Sequence, residues 1–275
     1  MNETLIIDGA RLRYRQAKSD CSSGDPLIFQ HGMGGDLTQP MKYVGENPAG
    51  RVISLNARGH GDSDPISNLA QATFDTYADD VIALANHLDI DRFVIGGISL
   101  GAGTAINLTV RYPERVSGLI LCRPAWADHP QTDFIRDTFA YLATLLRGAP
   151  VDEALATFIA SPTYRHVLAQ SPSAAESLVG QLTRTGAVEN LMILNRFPSS
   201  SPTTDRRQWK HVTVPTLVIG HRDDPFHAYD IAQLYAEIIP SAQLATVPSK
   251  DRDTTGFFAQ ITNAINDYLA NRTQR

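Results

Sequence analysis

A serine between glycines is the feature of this sequence most suggestive of chemistry. Gly97-Ile98-Ser99-Leu100-Gly101 directly follows the strand-like run Phe93–Ile95 and precedes a helical pattern. Glycines two positions before and after Ser99 let the chain turn sharply, so that the hydroxyl stands at the end of a sheet. A helix N-terminus behind it could stabilise developing negative charge. The alternative is that Ser99 only caps the helix.

Two glycine-rich segments lie upstream of this serine. His31-Gly32-Met33-Gly34-Gly35 follows the apolar run Leu27–Phe29, and the segment from Asn56 to Ser63 follows the run Val52–Leu55. A glycine-rich turn can present backbone N–H groups, and the tetrahedral intermediate of acyl transfer needs two such donors. Taken alone, each segment predicts only a loop.

The elements that must position these loops are strands and helices in alternation. Further strand-like runs, rich in β-branched residues, are Val116–Leu121, Thr216–Ile219 and Leu244–Val247. Helical patterns lie between them, at 74–88 and 100–112 among others. This order predicts an α/β fold with a mainly parallel sheet and helices on both faces. Asp8-Gly9 predicts a hairpin, and so an antiparallel edge at the start of the sheet.

The alternation stops between residues 126 and 210. Helical patterns without strands fill this stretch, at 134–146, 151–159, 164–169, 174–183 and 188–195, separated by turn clusters. The strand pattern resumes at Thr216. We therefore predict a core domain of residues 1–125 and 211–275, with a helical insertion of residues 126–210 after the sixth strand.

The order and spacing of the three motifs closely resemble the α/β-hydrolase superfamily, over nearly the whole chain. The resemblance implies that the insertion is a mobile lid and that Ser99 is the nucleophile. It also implies that the backbone N–H groups of Met33 and Leu100 form an oxyanion hole. His31 and His60 would then shape loops rather than carry protons.

The family places a catalytic carboxylate in the loop after the strand Thr216–Ile219, where this sequence has Asp223 and Asp224. Alignment on the Asp-Pro pair favours Asp224. The aspartate that is not catalytic would cap the helix that starts near Ala228.

The resemblance breaks at the catalytic histidine. The family carries it in the loop after the last strand, but residues 248–254 contain none, and no histidine follows His227. His227 is the first candidate for the general base, since its loop should face Ser99. Lys250, in the usual loop, and His129, at the entry to the insertion, are the alternatives. The neighbouring acidic residues Asp251 and Asp253 would raise the pKa of Lys250, which argues against that choice.

Composition narrows the classes of function. The 275 residues carry a formal net charge of −5 without blocks of like charge, so nucleic acid is not an expected partner. No membrane span or signal peptide is evident, and we expect a cytoplasmic protein that acts on a small molecule. Cys21 and Cys122 suggest neither a disulfide framework nor a zinc site. No cofactor and no metal are expected.

Two functions remain open. The first is a serine hydrolase of a small carboxylic ester or lactone, acting through an acyl-enzyme with a non-standard base. The second is a non-hydrolytic protein of the same fold, a small-molecule binder or lyase that has lost the triad histidine. Residues of the insertion can supply pocket walls, although most of them are expected to pack the insertion on the core instead: Trp126, Phe134, Phe139, Tyr141, Leu142 and Phe158. The sequence leaves the substrate and the oligomeric state open.

Overall fold

One sheet joins the strands of the chain. The computed structural model describes residues 2–17 and 24–272, and within these ranges eight strands hydrogen-bond into that sheet. They are β1 (Glu3–Ile7), β2 (Ala10–Ala17), β3 (Leu27–Gln30), β4 (Val52–Leu55), β5 (Phe93–Ile98), β6 (Val116–Cys122), β7 (Thr216–Gly220) and β8 (Ala242–Thr246). Their spatial order is β1-β2-β4-β3-β5-β6-β7-β8.

The sheet is parallel except at one edge. β1 pairs with β2, and β2 with β4, in the antiparallel sense, whereas all pairs from β4 onward in spatial order are parallel. Asp8 and Gly9 have φ angles of 50° and 79°, which suit the two-residue turn between β1 and β2. The predicted α/β fold class with an antiparallel edge is therefore confirmed.

Helices cover both faces of this sheet. They are α1 (Thr38–Val44), α2 (Phe74–His87), α3 (Leu100–Arg111), α4 (Asp133–Gly148), α5 (Val151–Ala160), α6 (Pro162–Gln170), α7 (Pro172–Thr183), α8 (Met192–Arg196), α9 (Tyr229–Ile238) and α10 (Thr254–Arg272). Buried side chains of α2, α3 and α9 share one apolar core with the sheet, and those of α1 and α10 share a second. Since successive strand residues point to opposite faces, β3 and β5 contribute to both cores.

The helices α4 to α8 lie between β6 and β7 and bury an apolar cluster of their own. The pattern at 188–195 predicted a helix, but α8 begins only at Met192, and residues 185–191 form turns. Asn190 explains the difference. Its side chain donates to the Gly186 carbonyl and accepts the Ile66 N–H, which ties the turn to the rest of the fold.

This insertion is attached to the loops at the carboxyl ends of the strands. The backbone N–H of Ser173, in the first turn of α7, donates to the Asp251 carboxylate at 2.7 Å. Near the other end of α7, Nε2 of Gln181 donates to the Met33 carbonyl at 2.8 Å. The helix α7 therefore spans the edge of the sheet at which the glycine-rich loops lie.

Within the described residues, no helix has the length and apolar character needed to cross a membrane. Cys122 is a buried free thiol at the end of β6. Cys21 lies outside the described residues.

Candidate active site

Ser99 lies at a strained turn between β5 and α3. Its φ and ψ angles are 55° and −109°, which are unfavourable for a residue with a Cβ atom. A Cβ on Gly97 would lie 2.5 Å from the Gly101 carbonyl carbon, and a Cβ on Gly101 would lie 2.5 Å from the Gln30 carbonyl oxygen. Only glycine fits at both positions. The half-buried Ser99 lines a cavity at the carboxyl ends of the strands.

The loop after β3 lies beside this turn. A Cβ on Gly32 would lie 3.5 Å from that of the serine. Gln39 of α1 accepts the Gly32 N–H at 2.7 Å, and Gln181 of α7 donates to the Met33 carbonyl. These two bonds fix the peptides on either side of the Met33 N–H. Neither this N–H nor that of Leu100 has a hydrogen-bond acceptor among the described residues.

An aspartate and a histidine line the same cavity, in the loop between β7 and α9. Nδ1 of His227 lies 2.9 Å from Oδ2 of Asp224. The second carboxylate oxygen, Oδ1, accepts the backbone N–H groups of Phe226 and His227 at 3.1 and 3.2 Å. The carboxylate therefore shapes the turn that carries the histidine. Because Nδ1 is engaged by the carboxylate, Nε2 is the ring nitrogen that remains for a reacting group.

No hydrogen bond joins the Ser99 hydroxyl to the His227 ring in this structure, although both residues line the cavity. Hydrogen bonds of this kind are often long without substrate and tighten in the Michaelis complex.

Arg123 is a charged residue of the site that the sequence analysis did not identify. It directly follows β6, and its Nη2 lies 2.5 Å from Oδ2 of Asp224 and 3.0 Å from Nδ1 of His227. Its Nη1 donates to the Tyr43 hydroxyl at 3.2 Å. The available signal was its position after a strand, since ligand-binding residues collect at the carboxyl ends of parallel strands.

The surrounding charges keep Asp224 ionised. Burial would raise the pKa of its carboxyl, but the charges of His227 and Arg123, together with contacts from His221 and His227, outweigh burial and hold the pKa well below its ordinary value. Burial lowers the pKa of His227 below its ordinary value; Asp224 opposes this effect and Arg123 reinforces it. The neutral imidazole needed by a general base is thus favoured at neutral pH.

The cavity has a volume of about 220 Å³. This is below the roughly 300–1,000 Å³ of pockets for drug-sized ligands, so the cavity suits a small molecule. Part of its wall is apolar and is formed by Met33, Ile98, Trp126, Phe139, Leu178 and Phe226. The polar part includes the serine and the aspartate–histidine pair.

The alternative acid and the alternative bases lie in different surroundings. Asp223 is 49% exposed and pairs with Arg252 at 2.8 Å, whereas the side chain of Asp224 is only 4% exposed. His129 is exposed, approaches the carbonyl of its neighbour Pro130 and does not line the cavity. Lys250 does line the cavity, at a distance of 3.8 Å from Glu176.

The six candidate wall residues divide between the cavity and other surroundings. Trp126 and Phe139 line the cavity, but Phe134 is 39% exposed on the surface. The other three candidate wall residues pack within the apolar cluster of the insertion: Tyr141, Leu142 and Phe158. These three side chains face other helices of the insertion and not the cavity.

His31 and His60 lie in the interior of the fold and hold loops. Nε2 of His31 accepts the Ala57 N–H at 3.0 Å, while its Nδ1 lies 2.8 Å from the Gly32 carbonyl. Burial lowers the pKa of His31 to about 4, so it is neutral at pH 7. Nδ1 of His60 approaches the Arg58 carbonyl. These contacts leave both rings in loop-shaping positions.

Comparison with known proteins identifies related sequences. The profile of the family described as alpha/beta hydrolase fold matches residues 25–263. The 3-oxoadipate enol-lactonase 2 of Acinetobacter baylyi is 26% identical over 250 residues, which cover 88% of this chain and 86% of that protein. The dihydrolipoyllysine-residue acetyltransferase component of the acetoin cleaving system of Pseudomonas putida is 33% identical over 123 residues.

That second match covers 43% of this chain and 31% of the relative. Two further relatives, a probable proline iminopeptidase and a 2-hydroxymuconate semialdehyde hydrolase, are matched over 31% and 44% of their lengths. Among solved structures, the enol-lactonase from Burkholderia xenovorans superposes with a TM-score of 0.76, covering 98% of this chain and 100% of that one. At 18% identity, this likeness is one of fold.

Proposed function

The chain belongs to the α/β hydrolase fold family, and from this premise we propose that it is a serine hydrolase of a small carboxylic ester or lactone. The observation that carries the proposal is the Asp224–His227 pair in the same cavity as Ser99. The pair supplies a base and its orienting acid, although the family's usual histidine position has none.

In the proposed reaction, Nε2 of His227 takes the proton from the Ser99 hydroxyl as the oxygen attacks the substrate carbonyl carbon. The carbonyl π electrons move to oxygen, and the Met33 and Leu100 N–H groups stabilise the resulting oxyanion. The intermediate collapses, the bond to the leaving oxygen breaks, and His227 gives its proton to that oxygen, which becomes the hydroxyl of the alcohol. For a lactone, this alcohol stays attached to the acyl group.

Hydrolysis of the acyl-enzyme reverses these roles. His227 removes a proton from water, and the hydroxide oxygen attacks the acyl carbon. Collapse of the second oxyanion releases the carboxylic acid, and the histidine returns the proton to Ser99. Asp224 holds the ring in one orientation and stabilises the imidazolium in both halves.

The helical insertion is the proposed lid. The helix α7 places Ala174 and Leu178 in the cavity wall and holds the Met33 carbonyl through Gln181. Movement of α7 would therefore alter both access to Ser99 and the oxyanion loop. Exclusion of water by such a lid strengthens electrostatic stabilisation of the intermediate.

A fluorophosphonate probe followed by peptide mapping tests the proposal. We expect labelling at Ser99, together with hydrolysis of 4-nitrophenyl butyrate that falls at least roughly 10³-fold in Ser99→Ala. Ser67→Ala is the matched control, since Ser67 is exposed and lies outside the cavity. Absence of both labelling and Ser99-dependent hydrolysis would overturn the proposal in favour of a binding protein or a lyase.

A further inference from the structure

The cavity carries more positive charge than the hydrolytic reaction requires. Among the described residues that line it are three cations, Lys42, Arg123 and Lys250, and one carboxylate, Asp224. Arg123 and Asp224 neutralise each other through their ion pair. The two lysines remain, although the whole sequence contains only four lysines. Half of the lysines of this acidic protein therefore face one small cavity.

Neither lysine is neutralised by a buried partner. The carboxylate within ion-pair distance of the Lys250 ammonium group is that of Glu176, at 3.8 Å, and the Glu176 side chain is 80% exposed. A long contact of this kind in water contributes little. The Asp251 carboxylate attracts Lys250 from further away and is itself hydrogen-bonded to Ser171 and Ser173. Lys42 forms no ion pair with any carboxylate in residues 2–17 and 24–272. Both ammonium groups are therefore available to an anionic ligand.

Two serines of α7 line the same cavity as Lys250. Asp251, the following residue, accepts the Ser173 N–H, so this loop and the first turn of α7 are held together. Ser173 and Ser177 are four residues apart on one face of the helix, and both line the cavity. The Ser173 hydroxyl already interacts with Asp251 and Ser171. The Lys250 ammonium group and the Ser177 hydroxyl therefore remain as donors that a carboxylate can bind through charge-assisted hydrogen bonds.

We propose that Lys250 and Ser177, with Lys42 as a second cation, form a subsite for a carboxylate of the substrate. The proposal rests on the proposed function and narrows it: the ester or lactone carries a free carboxylate at a distance from the bond that is cleaved. Lys250 stands in the loop where the family carries its base. In this chain that position binds substrate, and the base comes from the loop after β7.

Two esters that differ in one group provide the test. 4-Nitrophenyl hydrogen adipate ends in a carboxylate, and 4-nitrophenyl hexanoate ends in a methyl group. We expect the wild-type protein to have the higher kcat/KM for the adipate ester. The ratio of the two kcat/KM values should fall by about tenfold or more in Lys250→Gln, because a hydrogen bond to a charged group is lost. Lys42→Gln should lower the same ratio.

Lys210→Gln is the matched control, since Lys210 is exposed and does not line the cavity. It should keep the wild-type ratio. High salt should lower the preference of the wild-type protein for the adipate ester over the hexanoate ester, because salt screens the attraction between charges. A wild-type preference for the hexanoate ester, or an unchanged ratio in Lys250→Gln, would overturn the subsite while leaving the hydrolase proposal in place.

Binding to the Ser99→Ala protein separates this inference from the activity. Calorimetry with the same two esters needs no turnover. The Ser99→Ala protein should bind the adipate ester more tightly than the hexanoate ester, and Ser99→Ala/Lys250→Gln should lose this difference. That result supports the subsite even if the protein hydrolyses neither ester. Equal affinity for the two esters would refute it, whatever the outcome of the labelling experiment.

Discussion

Asp224 and His227 are three residues apart in one loop, and their side chains are joined by a contact of 2.9 Å between Oδ2 and Nδ1. The same carboxylate accepts the backbone N–H groups of Phe226 and His227. The orientation of the ring is therefore fixed within a single turn. In the pattern that the family resemblance implied, the acid and the base come from two separate loops, and the packing of those loops must align them.

We predict that His227→Gln lowers kcat for 4-nitrophenyl butyrate by roughly 10³-fold or more, because the serine loses its proton acceptor. His221→Gln is a demanding control. Its Nε2 also lies 3.3 Å from Oδ2 of Asp224, but His221 does not line the cavity. Steady-state kinetics and fluorophosphonate labelling of both variants measure the difference. Equal losses in the two variants would assign the base elsewhere.

The acidic limb of the pH profile should lie below pH 6.5. Burial and Arg123 lower the pKa of His227, so the neutral, active imidazole persists to a lower pH than that of an exposed histidine. Arg123→Gln removes a nearby positive charge, so the pKa of His227 should rise. The acidic limb should therefore move to higher pH. The profile of kcat/KM against pH measures the shift.

Arg252→Gln is the control for this experiment. Arg252 carries the same charge but pairs with the exposed Asp223. Its removal should leave the acidic limb in place. If the acidic limb also keeps its pH midpoint in Arg123→Gln, Arg123 does not act on the histidine.

The local parts of the site could be predicted from the sequence. The turn at Ser99 follows from glycine spacing between a strand and a helix. The position after a strand indicates both Asp223 and Asp224, and only the family resemblance favoured Asp224. Arg123 also directly follows a strand, but the sequence does not show that it pairs with Asp224. It is 101 residues from Asp224 in the chain, and the two meet only because β6 and β7 are neighbours in the sheet.

The sequence analysis also missed a short helix, and it could not assign the side chains of a helix with two buried faces. The helix α1 has seven residues with Pro40 among them, too few to show a helical period, yet it supplies Gln39 and Lys42 to the site. In α4, apolar residues face both the cavity and the interior of the insertion. The sequence pattern identifies such residues as buried but does not say which neighbour buries them, so Phe139 and Leu142 could not be told apart.

The turn at Ser99 should not tolerate a methyl group at Gly101. The Cβ of Gly101→Ala would lie 2.5 Å from the Gln30 carbonyl oxygen and 2.7 Å from that of His31, both backbone atoms that cannot rotate away. We expect unfolding free energy to fall by about 1–3 kcal/mol. Displacement of Ser99 by even 1 Å should lower kcat by up to about a hundredfold.

Gly180→Ala should stabilise the protein, although Gly180, like Gly101, lies in a helix. Gly180 lies in α7, and a Cβ there would meet no atom within 4 Å. Alanine in a helix should raise the unfolding free energy by about 0.5–1 kcal/mol. Urea unfolding and ester kinetics of both variants test the pair. A Gly101→Ala protein with wild-type kcat would contradict the close packing of the turn against β3.

The ion pair between Arg58 and Asp80 supports the glycine-rich loop after β4. Two hydrogen bonds of 2.8 Å join the side chains, which are 4% and 3% exposed. Asp80→Asn would leave the guanidinium buried without a counter-charge, so the unfolding free energy should fall by about 3–5 kcal/mol. The neighbouring Asp79→Asn breaks the partly exposed pair with Arg111 and should cost less than about 1 kcal/mol. Similar losses in the two variants, measured by urea unfolding at pH 7, would show that burial does not decide the strength of these pairs.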